Sequence, residues 1–195
     1  SEAGAGSDAA GLAATARRDG DHYVLNGSKA WVTNGERASF YVILARTPDT
    51  TGHKNTHAFI VERESPGLSV GKKEDKMGLR CSDTVTIDLD DVRVPAEQRL
   101  GGEGEGLRIA LTALDGGRIG IAFQALGLGQ ACFEEAIRYA RVREQFGKSL
   151  AAQPVIQNMI ANMGTELESA RMMGYQACWL KDQGRPFTKE AAMAK

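Results

Sequence analysis

Two segments near the start of the chain contain residue types that could bind an anionic or planar ligand. The glycine-rich run Gly4-Ala5-Gly6-Ser7-Asp8 has small residues that allow backbone N–H groups to approach such a ligand closely. The run Trp31-Val32-Thr33-Asn34 combines a large flat ring, a stretch of backbone and a hydroxyl group, which together could form the wall of a heteroaromatic site. A flexible turn and a half-buried tryptophan of a small barrel would explain the same residues.

Two later segments are also candidates. Arg143 with Gln145 and Phe146 offers a guanidinium, an amide and an aromatic ring, a set that suits phosphate and purine, although an exposed helix end explains it equally well. Asp115-Gly116-Gly117-Arg118 places two glycines inside a helical pattern, at a cost of about 1 kcal/mol each relative to alanine. We therefore expect another backbone or a ligand to pack against these glycines.

The histidines do not indicate a catalytic or metal site. His22, His53 and His57 lack metal-ligand spacing and have no nucleophile nearby, so we expect surface or hydrogen-bonding roles for them. No catalytic triad is recognisable, and no metal ligands are predicted.

Composition narrows the class of protein. The 195 residues are 42% hydrophobic and 25% charged, with a net charge of -1 from 24 basic and 25 acidic residues, which is typical of a globular protein of one or two domains. The balanced charge argues against nucleic-acid binding. No apolar run approaches the roughly 20 residues that span a bilayer, so no membrane partner is expected. The three cysteines, Cys81, Cys132 and Cys178, are interpreted as reduced thiols that fill core space.

The first half of the chain has a β pattern. Asp19-Gly20, Asn26-Gly27 and Asn34-Gly35 are Asx-Gly turn signals between short strand-like runs. Later strand-like runs are separated by Pro48, a polar loop at 50–55 and Pro66-Gly67; they cover residues 40–45, 57–62, 68–70 and 84–89. This even spacing predicts a small β-barrel or sandwich.

The second half has a helical pattern. Pro95 and a cluster of glycines at 101–106 end the β pattern, and apolar residues then recur every three or four positions over 107–128 and 155–173. We predict an α+β chain, with a β domain at 1–103 and helices of an up-and-down bundle at 104–195. The chain begins in a glycine-rich loop and stops inside a helical pattern, so we expect it to be a piece of a longer protein.

Six stretches together resemble the acyl-CoA dehydrogenase family, especially its short-chain (butyryl-CoA) members. They are residues 1–8 (SEAGAGSD), 25–34 (LNGSKAWVTN), 71–78 (GKKEDKMG), 114–122 (LDGGRIGIA), 143–148 (REQFGK) and 189–195 (KEAAMAK). Each stretch is short, but their order and spacing make a chance resemblance improbable. The resemblance covers the whole chain.

The resemblance implies a fold and an activity. In the family, an N-terminal helical domain, a middle β domain and a C-terminal helical domain enclose FAD and an acyl-CoA thioester, and this chain is similar to the middle domain plus the first helices of the C-terminal one. The implied reaction is oxidation of a short-chain acyl-CoA to trans-2-enoyl-CoA, with electrons passed to an electron-transfer flavoprotein. A homotetramer in the mitochondrial matrix, or alternatively in the bacterial cytoplasm, is also implied.

The resemblance implies site residues as well. Those expected to bind FAD are Gly4, Ala5, Gly6, Ser7, Trp31, Val32, Thr33, Arg143, Gln145 and Phe146, the last three reaching the FAD of a neighbouring subunit. Those expected on the substrate side are Ser7, Asp115, Gly116, Gly117 and Arg118. Gly117 occupies the helix position where one branch of the family has its glutamate base. The base is therefore expected in a late loop after Lys195, and no catalytic residue is expected within the chain.

The sequence departs from the family pattern at two places. Ala3 stands where proline is common, and Pro154 stands where a glutamine often contacts FAD. Two alternatives stay open: an acyl-CoA oxidase or nitroalkane oxidase on the same fold, and a non-enzymatic, flavin-containing DNA-binding relative. The second would need a basic surface, which the balanced charge does not favour.

Overall fold

The structure, a computed structural model, describes residues 1–48 and 55–195. His53 and all but the last residue of the polar loop at 50–55 lie outside the described residues. The chain divides into two compact units, Ser1–Leu111 and Thr112–Lys195. The first is built on a β-sheet and the second is helical, which confirms the predicted α+β class.

The first unit contains one seven-stranded sheet. Its strands are β1 (Thr15–Asp19), β2 (His22–Thr33), β3 (Phe40–Arg46), β4 (Thr56–Glu62), β5 (Leu68–Val70), β6 (Thr84–Pro95) and β7 (Arg99–Leu100). The spatial order is β5-β6-β2-β1-β3-β4-β7. Neighbouring strands are antiparallel except β1 and β3, which pair in parallel through Thr15 and Arg46.

The buried side chains of these strands form one hydrophobic cluster. Leu25, Phe59 and Ile87, from three different strands, have no exposed surface, and alternate residues of β3 and β6 complete the cluster. Since successive side chains of a strand point to opposite faces, burial of alternate residues fixes the register of β3 and of most of β6.

Asp19-Gly20 and Asn34-Gly35 form turns as predicted, but Asn26-Gly27 does not. Asn26-Gly27 lies inside β2, which continues through it to Thr33. The irregularity is a β-bulge: the pairing with β6 shifts between Leu25 and Gly27, and the extra residue lies on β6 near Asp91, whose φ is 51°. The Asn26 amide donates to the Asp91 carboxylate at 2.9 Å and accepts the Asp91 N–H at 2.9 Å, so the side chain stabilises the bulge.

His57 has the hydrogen-bonding role expected from sequence, in a buried position. Its Nδ1 accepts the N–H of Gly104 at 3.5 Å, and burial lowers the pKa of the imidazole. A Cβ at Gly106, where the long helix begins, would lie 2.5 Å from the carbonyl carbon of His57. Glycine at 106 therefore allows the helix to start directly against β4.

The helices of the second half are α1 (Gly106–Val142), α2 (Pro154–Asp182) and α3 (Thr188–Ala194). Within the second unit, α1 and α2 run antiparallel. Phe123 packs on Gly174, Leu167 on Gly129 and Phe133 on Gly164, with a Cβ at each glycine falling 2.9 to 3.2 Å from the partner side chain. No helix among the described residues is long and apolar enough to cross a bilayer.

The prediction for the cysteines was wrong in part. All three are free, but Cys81 and Cys132 are exposed and Cys178 is half-buried. Cys81 lies in the loop between β5 and β6, and Cys132 lines an apolar groove between α1 and α2. Spacing alone excluded a disulfide framework but did not distinguish a core thiol from one on a helix surface.

The backbone at the bulge restricts which residue can occupy position 27. Gly27 has a φ of 133°, and a Cβ there would lie 2.8 Å from the Cα of Ala14. We expect Gly27→Ala to lower the free energy of unfolding by about 2 kcal/mol or more, because strain and overlap add. Gly120→Ala, in an open position of α1, is the matched control and should stabilise by about 0.5–1 kcal/mol. Urea denaturation of both variants measures the difference, and a loss of equal size in both would contradict the steric account.

Candidate functional site

A groove of about 360 Å³ lies on the first unit, beside β3 and the end of β2. We call it the β2–β3 groove. Its walls come from the segment before β1, from the end of β2 and from β3; it is lined by Ser1, Glu2, Ala5, Gly6, Ala9, Leu12, residues 29–33, Ala38 and residues 40–44. Its volume is within the range of small-molecule sites, at the lower end.

Trp31 is held in this groove by an irregular backbone. Its φ is 59°, and the β2–β6 pairing shifts between Lys29 and Val32, so that one extra residue of β2 bulges out of the ladder. A left-handed φ is a genuine outlier for a bulky residue and costs of order 1–3 kcal/mol. The bulge leaves the indole 62% exposed on a groove wall instead of buried in the sheet. Strain that exposes a large apolar ring is typical of a ligand-binding position.

The residues after Trp31 complete this wall. Val32 is half-buried and Thr33 is exposed at the end of β2. Among the described residues, none forms a hydrogen bond with the Thr33 hydroxyl, which is free to donate to or accept from a ligand.

The glycine-rich loop presents backbone donors beside the same wall. A Cβ at Gly4 or Gly6 would meet nothing within 4 Å, so these residues leave space at the surface of the loop. In the part of the chain that the structure describes, the N–H groups of Gly6 and Ser7 donate to no acceptor. They could serve an oxygen or ring nitrogen of a ligand.

A buried ion pair lies at the base of this loop. The Glu2 carboxylate accepts from Lys29 Nζ at 2.5 Å and from the N–H of Ala14 at 3.1 Å. Burial raises the pKa of the Glu2 carboxyl, but the bonds from Lys29, Ala13 and Ala14 outweigh it and lower that pKa overall. Burial lowers the pKa of the Lys29 ammonium, opposed by Glu2. This pair was not predicted from the sequence, although a lysine at an inward-facing position of a strand signals a buried counter-charge.

The outer face of β3 supplies an apolar wall. Phe40 and Val42 are 57% and 52% exposed, and they alternate with the core residues Tyr41 and Ile43. Such a pair of exposed apolar side chains in a concave surface favours a flat apolar ligand over a hydrated ion. The alternation was visible in the sequence, but it did not show that this face borders a groove.

Asp115 and Arg118 lie one turn apart on α1 in the second unit and form an ion pair. The second Asp115 oxygen accepts from the Thr188 hydroxyl at 2.6 Å, so the carboxylate is engaged on both sides. A Cβ at Gly116 would lie 3.6 Å from Lys181 Nζ, and a Cβ at Gly117 would meet nothing within 4 Å. The expected neighbouring backbone is thus absent among the described residues, and the Gly117 surface is open.

Arg143, Gln145 and Phe146 belong to a hairpin. Strands β8 (Glu144–Gln145) and β9 (Lys148–Ser149) are joined by Phe146 and Gly147, both with positive φ, as in a type I′ turn. The turn leaves the Phe146 side chain 94% exposed. The alternative of an exposed helix end fits Arg143, which follows Val142 directly and donates its N–H to the Tyr139 carbonyl. Gln145 and Phe146 instead lie in the hairpin that follows.

The structure brings Ala5 and Gly6 together with residues 31–33 around the β2–β3 groove, and Gly4 and Ser7 are their neighbours in the loop. It places Asp115 to Arg118 on α1 and Arg143 to Phe146 in the hairpin, both in the second unit. No group of His, Cys, Asp and Glu in the described ranges could hold a metal ion.

Comparison with known proteins identifies the family. Residues 1–92 match the model of the acyl-CoA dehydrogenase middle domain and residues 104–195 that of the C-terminal domain. The chain is 50% identical over its whole length to the bovine mitochondrial short-chain specific acyl-CoA dehydrogenase, and 46% identical to the short-chain specific acyl-CoA dehydrogenase of Megasphaera elsdenii. It covers 47% of the first and 51% of the second, so it spans about half the length of these curated relatives.

A solved structure of a similar protein shows the same fold. The butyryl-CoA dehydrogenase of Megasphaera elsdenii superimposes with a TM-score of 0.93 at 45% identity, over 99% of this chain and 51% of that one. Since both domain models match in order and the likeness extends along the entire sequence, the chain belongs to the acyl-CoA dehydrogenase family.

Proposed function

We propose that this chain is part of a FAD-dependent enzyme that oxidises short-chain acyl-CoA thioesters to trans-2-enoyl-CoA and passes the electrons to an electron-transfer flavoprotein. The observation that carries the proposal is the β2–β3 groove, where a strained, exposed Trp31 lies beside free hydrogen-bonding groups. The names of the short-chain relatives supply the substrate class. Membership of the family makes the protein an oxidoreductase.

The residues present fit the isoalloxazine part of FAD. A flat ring system would pack on the Trp31 indole, with Thr33 and the N–H groups of Gly6 and Ser7 available to its heteroatoms. FAD bound there would supply the acceptor for the hydride that leaves the thioester β-carbon. The protein orients the ring and excludes water from the reacting carbons.

We assign Asp115 and Arg118 to the substrate side, as binding groups. Arg118 and Thr188 together occupy both oxygens of the Asp115 carboxylate, which suits a positioning group better than a proton acceptor. Gly117 has no carboxylate, so the base that removes the α-proton is predicted to be a glutamate from a later part of the full-length protein.

The hairpin is proposed to reach the FAD of a neighbouring subunit in a homotetramer. In support, Arg143 and Phe146 are exposed, and Phe146 is displayed at the tip of a tight turn. Relatives occur both in mammalian mitochondria and in bacteria. We propose the mitochondrial matrix, with bacterial cytoplasm as the alternative.

The full-length protein tests the proposal directly. Under anaerobic conditions, butyryl-CoA should bleach the flavin absorbance near 450 nm, and added electron-transfer flavoprotein should restore it. Recovery of the absorbance in air as fast as with the flavoprotein would indicate an oxidase instead. A purified protein that retains no flavin would overturn the proposal.

Removing one hydroxyl group tests the role of Thr33. Thr33→Val keeps volume and branching, and Thr33 is exposed, so folding should be unaffected while FAD binding weakens by about 0.5–1.5 kcal/mol, or roughly two- to tenfold in Kd. Thr15→Val, in β1 and outside the groove, is the matched control. Flavin fluorescence titration measures both, and equal affinities in the two variants would contradict a role for Thr33 at the cofactor.

Moving the base tests the placement of Gly117. In the full-length protein with its late-loop glutamate changed to glutamine, Gly117→Glu should restore part of the lost turnover, since the position has room for a side chain. The recovery should be weak, because a displacement of about 1 Å costs around 10²-fold in rate.

Gly127→Glu serves as the control for this rescue. It is another open glycine of α1, about 15 Å further along the helix axis, and should restore nothing. If Gly117→Glu binds FAD normally and also restores no turnover with any acyl-CoA, residue 117 does not face the reacting carbon.

A further inference from the structure

The buried pair of Glu2 and Lys29 has no part in the binding roles proposed above. Both side chains are only 8% exposed, whereas every other ion pair among the described residues has at least one partner more than 30% exposed. Removing two charges from water costs several kcal/mol per ion, so such a pair is weak evidence for a stabilising role. Its position offers a different explanation.

The Glu2 carboxylate joins three separate segments of the chain. It belongs to the segment that continues into the glycine-rich loop, and it accepts from the backbone N–H groups of Ala13 and Ala14, at the entry to β1. It also accepts from Lys29, which lies on β2 two residues before Trp31. One side chain thus connects the loop to the strand that carries the strained tryptophan.

Backbone bonds around this carboxylate complete the attachment. Ala30 donates its N–H to the carbonyl of Ser1 at 2.9 Å, and Glu2 and Ala5 exchange two backbone bonds of 2.8 and 3.2 Å. These bonds close a small turn at the start of the glycine-rich loop. Beyond Ala5, however, the loop has open space around Gly6, and no described acceptor takes the N–H groups of Gly6 and Ser7. Its position beside Trp31 is therefore set by the attachment at Glu2 and by the buried side chains of Ala5 and Leu12.

An ion pair performs this attachment better than an apolar contact would. The bonds to a carboxylate are directional and are roughly twice as strong as those between neutral groups. They fix where the loop backbone lies, whereas apolar packing at the edge of an open groove would permit sliding. Ionisation of Glu2 is favoured, since its pKa is lowered by the three donors despite burial.

We infer that Glu2 and Lys29 are positioning residues, which hold the glycine-rich loop against β2 so that the N–H groups of Gly6 and Ser7 face the same ligand as Trp31. The inference rests on the proposed FAD site for the identity of that ligand. It goes beyond that proposal in assigning a positioning function to two residues that line the groove but were given no role there in binding the ring or the substrate.

The test uses the full-length protein and a charge-free double variant, Glu2→Gln/Lys29→Met. This change leaves no unpaired buried charge, and the glutamine carbonyl is still able to accept from Ala14, so the fold should survive. The matched control is Asp19→Asn/Arg93→Met, which removes an ion pair of 2.7 Å between β1 and β6 of the same sheet. That pair is about half exposed and does not line the groove.

Two measurements are made on each protein under conditions where circular dichroism shows it folded. The first is the Kd for FAD by fluorescence titration of the apoprotein. The second is hydrogen exchange of the Ala14 and Ala30 amides in the absence of FAD. If the loop is in place only a tenth of the time, the apparent Kd rises tenfold, because affinity scales with the fraction of competent protein. We expect a rise of at least tenfold in the double variant, with faster exchange at both amides, and no change in the control.

Each outcome has a definite meaning. An unchanged Kd in the folded double variant would overturn the inference while the proposed FAD site stands. An equal loss of affinity in the control would also overturn it, since a general weakening of the sheet would then be the cause. If the wild-type protein binds no FAD, the proposed function fails, and amide exchange alone decides whether the pair fixes the loop. A double variant that does not fold is replaced by Lys29→Arg, which keeps the charge; full FAD affinity there despite faster Ala30 exchange would overturn the inference.

Discussion

Strand β2 contributes both to the core of the sheet and to the wall of the groove, and much of the structure of the first unit depends on this double role. It is hydrogen-bonded on both sides, to β1 and to β6, and its inner residues fill the core. It must also present Trp31 and Thr33 at the groove. A regular strand of twelve residues would fill the first role and send the indole to a position set by strict alternation. The extra residue between Lys29 and Val32 breaks the alternation once, and the groove exists because of that break.

The strain at Trp31 is tolerated because the surroundings fix the backbone on either side. Before it, Lys29 is held by Glu2, and Ala30 is bonded to Ser1. After it, the N–H of Asn34 bonds to the carbonyl of Asp83 at 3.0 Å, and Tyr41 donates its hydroxyl to the carbonyl of Gly35 at 2.7 Å. Energy stored in one residue is in this way balanced by ordinary contacts in its neighbours.

Local pattern was enough to predict the fold class, most strands and the two long helices, because period-two and period-3.6 alternation directly reflects which face is buried. It failed at Asn26-Gly27, because a glycine with positive φ suits both a two-residue turn and a bulge, and only the pairing partner decides between them. The short hairpin at Phe146 was not predicted for a related reason, because strands of only two residues show no periodicity. Glu2 and Lys29 were missed as partners because 27 residues separate them, and only the folded sheet brings their charges together.

In the antiparallel contact of α1 and α2, large side chains of one helix fill the space beside glycines of the other. Phe123 and Phe133 belong to α1, whereas Leu167 belongs to α2. Each of these positions has its volume set by a residue 31 to 51 places away in the sequence. A larger residue at Gly174 would overlap the Phe123 ring, yet it would fit if residue 123 became smaller in the same step. We expect substitutions within each pair to be strongly non-additive. A chimera that takes α1 from one relative and α2 from another would keep these contacts only where the summed volume of each pair is preserved.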